Sequence, residues 1–101
     1  MATTTKVLFR GAATTTVGTT LYTVPASTTT VVTNIAVVNT TATAGTFDLA
    51  LNGTKLATTQ AIAASSTAYI DLKQVLVATN IIAGGASATT INFHISGVEI
   101  S

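Results

Sequence analysis

The fold is decided by one stretch of sequence, Thr90-Ile91-Asn92-Phe93-His94-Ile95-Ser96-Gly97-Val98-Glu99-Ile100. Up to Ser96, apolar and polar residues alternate, which is the period-two pattern of a strand with one face in a core. After Gly97 the apolar residues are Val98 and Ile100, so the alternation slips by one position. A β-bulge at Gly97 would keep the apolar side inward throughout. We therefore expect a long, bent strand over 90–100.

The composition limits what the surface can bind. Only 7% of the 101 residues are charged, against about 25% in an ordinary soluble domain. A net charge of +1 gives no electrostatic reason to bind nucleic acid or an anionic membrane. Because so little charge repulsion separates the copies, we expect a protein that assembles deliberately, as a homo-oligomer.

Cysteines and long apolar runs are both missing from the sequence. With no cysteine, the chain has neither disulfides nor thiolate metal sites. No apolar run approaches the roughly 18–20 residues that a membrane-spanning helix needs. Residues 1–6 lack the basic segment and apolar core of a secretory signal. We expect a soluble protein with no membrane partner.

The chain is predicted to form a polar N-terminal arm over residues 1–5 and a single β domain over 6–101. In the first strand, Lys6–Arg10, Val7 and Phe9 are expected on the face opposite to Leu8. A central strand, 31–40, is expected to place Val31 on the same face as Ile35 and Val37. Other strands are predicted over 21–26, 47–51, 54–57, 67–73 and near 81–82.

Turn residues separate these strands and predict how they connect. Asn52-Gly53 is a strong signal for a type I′ hairpin, because both residues tolerate positive φ. Gly84-Gly85 is expected to break the chain before the last strand. Residues 57–64 come nearest to helical spacing, but the segment is too short for a helix. About seven or eight short strands predict an all-β, antiparallel β-sandwich with jelly-roll-like connections.

The few titratable residues give no catalytic or metal-binding motif. A triad of His94 with an aspartate and a serine is formally available, but no GxSxG elbow is present. A bulge could bring His94 and Glu99 to one face, yet two ligands do not make a metal site. Asp48 and Asp71 could flank a sugar, but Tyr22 and Tyr69 alone offer rings to a ligand. We expect no enzyme activity, no metal and no cofactor.

Five residues are the candidates for contact with another protein. Lys6 and Arg10 lie in the first strand, where they either protect an edge or dock on an acidic partner. Tyr69 is expected to face outward beside Asp71 and Lys73, which makes this patch the first choice for a contact surface. The alternative interpretation of the patch is a solvated cross-strand cluster.

Three segments carry a resemblance: Leu21-Tyr22-Thr23-Val24-Pro25-Ala26, the 31–40 strand ending in Asn39-Thr40-Thr41, and Ser96-Gly97-Val98-Glu99-Ile100. They are similar to a family of small virion structural proteins of tailed bacteriophages, which pair a "tLYTVPA" start with a "sGvEi" end. The likeness covers about residues 17–101. The family often has Gly-Asp where this chain has Thr79-Asn80, so the turn there departs from the pattern.

The resemblance implies a β-sandwich that acts without catalytic residues or cofactor, in the virion, after assembly in the host cytoplasm. The leading hypothesis is a head decoration (cement) protein, with the major capsid protein or other virion proteins as partners and a homotrimer favoured. The rival is a tail, baseplate or fibre component. A third hypothesis is a carbohydrate-binding module that uses Tyr69 and Asp71.

Overall fold

The structure is a computed structural model that describes residues 3–16 and 18–101. Within those residues every regular element is a strand, as the threonine- and valine-rich sequence predicts. The eight strands are β1 Thr3–Ala12, β2 Thr20–Thr23, β3 Thr29–Asn39, β4 Gly45–Leu51, β5 Thr54–Ile62, β6 Thr67–Leu76, β7 Ile81–Ala86 and β8 Ile91–Ile100.

The strands form two four-stranded antiparallel sheets. Sheet A has the order β1-β8-β3-β6, and sheet B has the order β2-β7-β4-β5. The pairs β1–β8, β2–β7, β3–β6 and β4–β5 are those of one long antiparallel ribbon rolled over itself, which is the jelly-roll connection. The predicted all-β, jelly-roll-like sandwich is therefore confirmed.

The core lies between the sheets and is aliphatic, with two phenylalanines at its centre. Phe47 of sheet B meets Phe93 of sheet A edge-on, with ring centroids 6.3 Å apart. Both rings are fully buried, and the third phenylalanine, Phe9, packs partly buried against the same core. Edge-on pairs of buried rings stabilise a core beyond their area burial. These contacts hold the sheets together.

Strand β8 has no bulge at Gly97, contrary to the sequence prediction. Its pairing continues unbroken, so Glu99 lies on the inner side and Val98 and Ile100 lie on the outer side. The extra residues are in the neighbouring strands instead. Val32 and Ile35 of β3 pair with Gly97 and Ile95 of β8, so three steps along β3 correspond to only two along β8. Sheet A is irregular at this level because the two strands that pair with β8, β1 and β3, each carry one more residue than β8 does.

Bulges in β1 and β3 explain two further errors in the predicted faces. The pairing of β1 shifts between Val7 and Phe9, so Phe9 packs against the core together with Leu8, whereas Val7, expected on the same face as Phe9, is 45% exposed. The pairing of β3 shifts between Val32 and Asn34, which puts Val32 in the core and Val31 on the outer face. An extra residue reverses the side to which every later side chain points.

The first strand begins earlier than predicted. Thr3, Thr4 and Thr5 belong to β1 and pair with the last residues of β8, so this part of the expected polar arm is a strand. The remaining two residues of that arm, Met1 and Ala2, lie outside the described residues.

The Asn52-Gly53 hairpin is confirmed. Both residues have positive φ, 47° and 84°, and Leu51 pairs directly with Thr54 across the two-residue loop. Gly84-Gly85, in contrast, lies within β7 rather than at a break. A Cβ at Gly84 would lie 2.7 Å from the carbonyl oxygen of Asp48, so glycine permits the close packing of β7 on β4.

Candidate contact surface

Strand β6 forms one edge of sheet A and presents three of the five candidate residues. Tyr69, Asp71 and Lys73 are exposed, whereas the residues between them, Ile70 and Leu72, are partly buried and pack against the core. The alternation predicted from the sequence is thus present. Tyr69 is the most open of the large apolar side chains described, at 72% exposure. These three residues define the β6 patch.

The charges of the β6 patch are available to a partner. Asn34 of the neighbouring strand donates a long hydrogen bond of 3.4 Å from Nδ2 to Oδ1 of Asp71. The two ion pairs found among residues 3–16 and 18–101 are Lys6–Glu99 and Lys55–Asp48, so Asp71 and Lys73 are not neutralised by one another. The cross-strand cluster considered for this patch is limited to the Asn34 contact.

Arg10 lies on the same outer face as the β6 patch, but at the opposite edge of the sheet. The register places Arg10 beside His94, His94 beside Ala36, and Ala36 beside Tyr69 in a single row across sheet A. Three strand spacings of about 4.8 Å separate the ends of this row by about 14 Å. Arg10 and Tyr69 therefore share a face without contacting each other.

Lys6 is separated from the other candidates. It lies on the side of β1 that faces Glu99, and its Nζ is 3.3 Å from the carboxylate. The bulge at Leu8 is responsible, because it reverses the facing of β1 between Lys6 and Arg10. Lys6 consequently belongs to a polar cluster between the two sheets rather than to the outer face.

This cluster, Tyr22-Thr30-Glu99-Lys6, joins sheet B to sheet A. Tyr22 on β2 donates its hydroxyl hydrogen to Oε2 of Glu99 over 2.5 Å, and its oxygen lies 2.9 Å from the hydroxyl of Thr30. Tyr22 is buried, so its ring is not available to a ligand as the sequence suggested. The bulge expected at Gly97 would turn Glu99 outward, so the sequence prediction missed this cluster; unbroken alternation along β8 is the signal that places Glu99 inward.

The cluster shifts the ionisation of both its acidic members. The hydrogen bond from Tyr22 lowers the pKa of Glu99 below 4.5, and Lys6 acts in the same direction against the opposing effect of burial. Burial raises the pKa of Tyr22 above 10, and the bond to Glu99 raises it further. An ionised Glu99 and a neutral Tyr22 are the states that hold the sheets together at pH 7.

The residues considered for catalysis or metal binding do not come together. His94 faces outward and Glu99 inward, so they lie on opposite sides of sheet A. Asp71 is in sheet A, while Asp48 is in sheet B, with an oxygen 3.6 Å from Lys55. No group of three metal-binding side chains, and no helix able to cross a membrane, occurs in the described parts of the chain.

The side of the sandwich formed by β5 and β6 is open. A concavity of about 410 Å³ lies between Leu56 and Val75, and a second of about 270 Å³ lies between Leu56 and Tyr69. Of the five exposed large apolar residues described, four lie along this side: Leu56, Tyr69, Val75 and Val77. Such a concentration of exposed apolar groups is typical of an interaction surface.

The three segments behind the family resemblance meet in the structure. Tyr22 of the first binds Glu99 of the last, and Gly97 packs against the carbonyl group of Val31 in the middle one. The Asn39 side chain donates to the carbonyl oxygen of Thr43 and holds the turn after β3. No protein-family model and no curated protein sequence matches the chain.

Proposed function

We propose that this protein is a non-enzymatic virion structural protein of a tailed bacteriophage, acting as a head decoration (cement) protein. In this role it binds the lattice of the major capsid protein and stabilises it. The observation that carries the proposal is the meeting of the resembling segments through the Tyr22–Glu99 bond. The likeness to virion proteins therefore concerns residues that connect the two sheets, rather than scattered surface positions.

The surface supports a role in assembly. Because a fold alone does not define a function, support for this role must come from the residues exposed on the surface. Protein interfaces are depleted in charged residues at their centres and enriched in tyrosine. The β6 patch, with Val75 beside it, presents a ring that is 72% exposed and a valine that is 62% exposed. A decoration protein acts by burying such a surface against its neighbours.

The partners follow from the same proposal. The main partner is the major capsid protein, and the protein itself is a homo-oligomer on the capsid surface, with the trimer implied by the resemblance. A tail, baseplate or fibre location is the alternative, since such a component would need the same kind of surface. The number of copies per particle distinguishes the two, because decoration covers the head and a tail component does not.

The proposal is tested by adding purified protein to two particles separately: heads that lack it, and isolated tails. We expect saturable co-sedimentation with heads, at a fixed ratio to the major capsid protein, and increased resistance of those heads to heat. Binding only to tails would support the alternative location. Binding to neither would contradict a virion role and favour the carbohydrate-binding module, in which Tyr69 would stack on a sugar.

A further inference from the structure

The free edge of β6 differs from the other three edges of the sandwich. An unpaired edge strand offers a row of backbone donors and acceptors to another strand, unless it is short or distorted. Strand β2 has only four residues, and β1 is bulged at Leu8. Strand β5 has two register shifts and a positive φ of 45° at Thr59. These features protect those edges from pairing.

Strand β6 is ten residues long and has no positive-φ residue. Its pairing with β3 shifts register once, where Leu72 and Lys73 together lie opposite Thr33. Exposed and covered residues nevertheless alternate without a slip from Thr67 to Lys73. Most of the exposed apolar side chains of the described chain lie along or beside it.

Unlike the bulge at Leu8 in β1, the register shift in β6 does not reverse the facing of later side chains, because Asp71 and Val75 both pair with outward residues of β3. This one shift and the two charges are the features that limit pairing along β6.

Those two charges form a self-complementary pattern. Asp71 and Lys73 lie one position before and one position after Leu72, and the exposed apolar residues Tyr69 and Val75 lie three positions before and after it. In an antiparallel pair, residues equally far from the centre are placed opposite one another. A second copy centred on the same residue would thus match opposite charges and match apolar side chains.

We propose that two copies of this chain pair antiparallel along β6, around a two-fold axis at Leu72, to form a continuous eight-stranded sheet. Asp71 then faces Lys73 of the second copy, and Tyr69 faces Val75 of the second copy, each contact occurring twice. Directly opposed residues have Cβ atoms about 4.5–5.5 Å apart, which suits both contacts. The occupant of this edge is a second copy of the chain.

The same charges select this register over its neighbours. Moving the axis to Asp71 places the two Asp71 carboxylates opposite each other, and moving it to Lys73 does the same for the two lysines. Like charges directly opposed across strands are destabilising. Of the three axes, the one at Leu72 pairs opposite charges, and it leaves the outward side chains of both copies on the same face of the joined sheet. The contact requires neither the virion role nor a trimer, because it leaves β1 and sheet B free.

Charge reversal tests the contact in the intact protein. By native mass spectrometry and sedimentation velocity, the wild-type chain of 10.1 kDa should form a dimer of twice that mass. Asp71→Lys and Lys73→Asp should each raise the dimer Kd by about tenfold or more, since each creates two like-charged contacts. The double variant Asp71→Lys/Lys73→Asp should restore the wild-type Kd. Thr89→Lys, exposed in the turn before β8, is the matched control.

A wild-type chain that stays monomeric at millimolar concentration would overturn the inference. So would an oligomer, dimer or trimer, whose Kd does not respond to the single reversals, or a double variant no tighter than either single one. The rescue makes the test independent of folding, because a variant that merely unfolds is not repaired by a second charge reversal.

Cross-linking tests the register itself, and the chain contains no cysteine that could interfere. A mixture of Tyr69→Cys and Val75→Cys chains should form a disulfide between the two variants, because these residues face each other. Either variant alone should cross-link at least tenfold less, since its own cysteines lie six residues apart along the paired strands, about 20 Å. Equal cross-linking in the separate preparations would contradict this register.

Discussion

Glu99 shows how one residue can appear misplaced in the sequence and yet support the fold. Its carboxylate enters the space between the sheets, where it accepts a hydrogen bond from Tyr22 and contacts Lys6. Glu99 is partly buried, and a charge withdrawn from water in this way is stabilised by pairing and hydrogen bonding, both of which it has. Among the described residues, no buried side-chain nitrogen or oxygen is left without a partner. The cluster therefore links the sheets without an uncompensated polar group.

Glu99→Gln should lower the free energy of unfolding at pH 7 by about 1–2 kcal/mol, because a charged acceptor is replaced by a neutral one. The pKa of Glu99 is lowered in the folded state, so its stabilisation is present above pH 4.5 and is lost as the pH falls through the folded-state pKa. Urea unfolding between pH 2 and pH 7 should show the two chains converging in acid. A constant difference across that range would contradict the ionised cluster.

Tyr22→Phe provides the matched partner variant. It removes the donor and leaves the carboxylate with Lys6 alone, so it should destabilise the wild type. In the Glu99→Gln background, where the acceptor is already neutral, its effect should be smaller. The measurement is a double-mutant cycle of unfolding free energies at pH 7. Additive effects would show that the two residues do not act together.

Among the glycines whose surroundings the structure describes, Gly97 leaves the least room for a side chain. An added Cβ would collide with the carbonyl oxygen of Val31 and lie 2.9 Å from a methyl group of Leu8. Because backbone cannot yield as a flexible side chain does, Gly97→Ala should lower the free energy of unfolding by about 1–3 kcal/mol. Gly18→Ala, where the Cβ would meet nothing within 4 Å, is the control and should change it by less than about 0.5 kcal/mol. Equal effects in thermal unfolding would contradict the packing account.

At the scale of elements, the β4–β5 hairpin is the connection that the sequence specifies most directly. Gly53 has a φ of 84° and its Cβ position is open, so the only penalty for a side chain there is conformational. Gly53→Ala should therefore lower the free energy of unfolding by about 1 kcal/mol, while Asn52→Gly should be tolerated. Chemical denaturation of both variants tests this. A fully stable Gly53→Ala chain would exclude the type I′ turn.

The sequence predicts most strands because alternation and turn residues are local signals. Local sequence alone predicts the hairpin at Asn52-Gly53 and the outward position of Tyr69, because neither feature depends on which strand lies alongside. The bulges at Leu8 and Thr33 are different, since a bulge is a mismatch between two strands and neither strand shows it alone. The predicted grouping of Val7 with Phe9, and of Val31 with Ile35, is wrong for this reason.

The candidate contact residues divide in the same way. Tyr69, Asp71 and Lys73 follow one regular strand, and the structure places all three in one exposed patch. Lys6 and Arg10 lie on either side of a bulge, and the structure separates them onto opposite sides of β1. Tyr22 looked like a free ring because its partner Glu99 lies 77 residues away in sequence, beyond the reach of any local pattern.

At the scale of the whole molecule, a low charge content and an open apolar side are the properties that any account of function must explain. In a small domain with 7% charged residues, charge repulsion between copies is weak. The jelly roll gathers its exposed apolar groups along the β5–β6 side, where assembly would bury them. A protein whose function is to cover a larger particle has a use for both properties.

The proposed decoration role is tested most directly by cryo-electron microscopy of intact virions from the source of the chain, with the number of its copies per particle measured by quantitative mass spectrometry. If the protein decorates the head, a regular array of jelly-roll density should cover the head, in a fixed ratio to the major capsid protein. A few copies confined to the tail, or complete absence from the particles, would contradict this role.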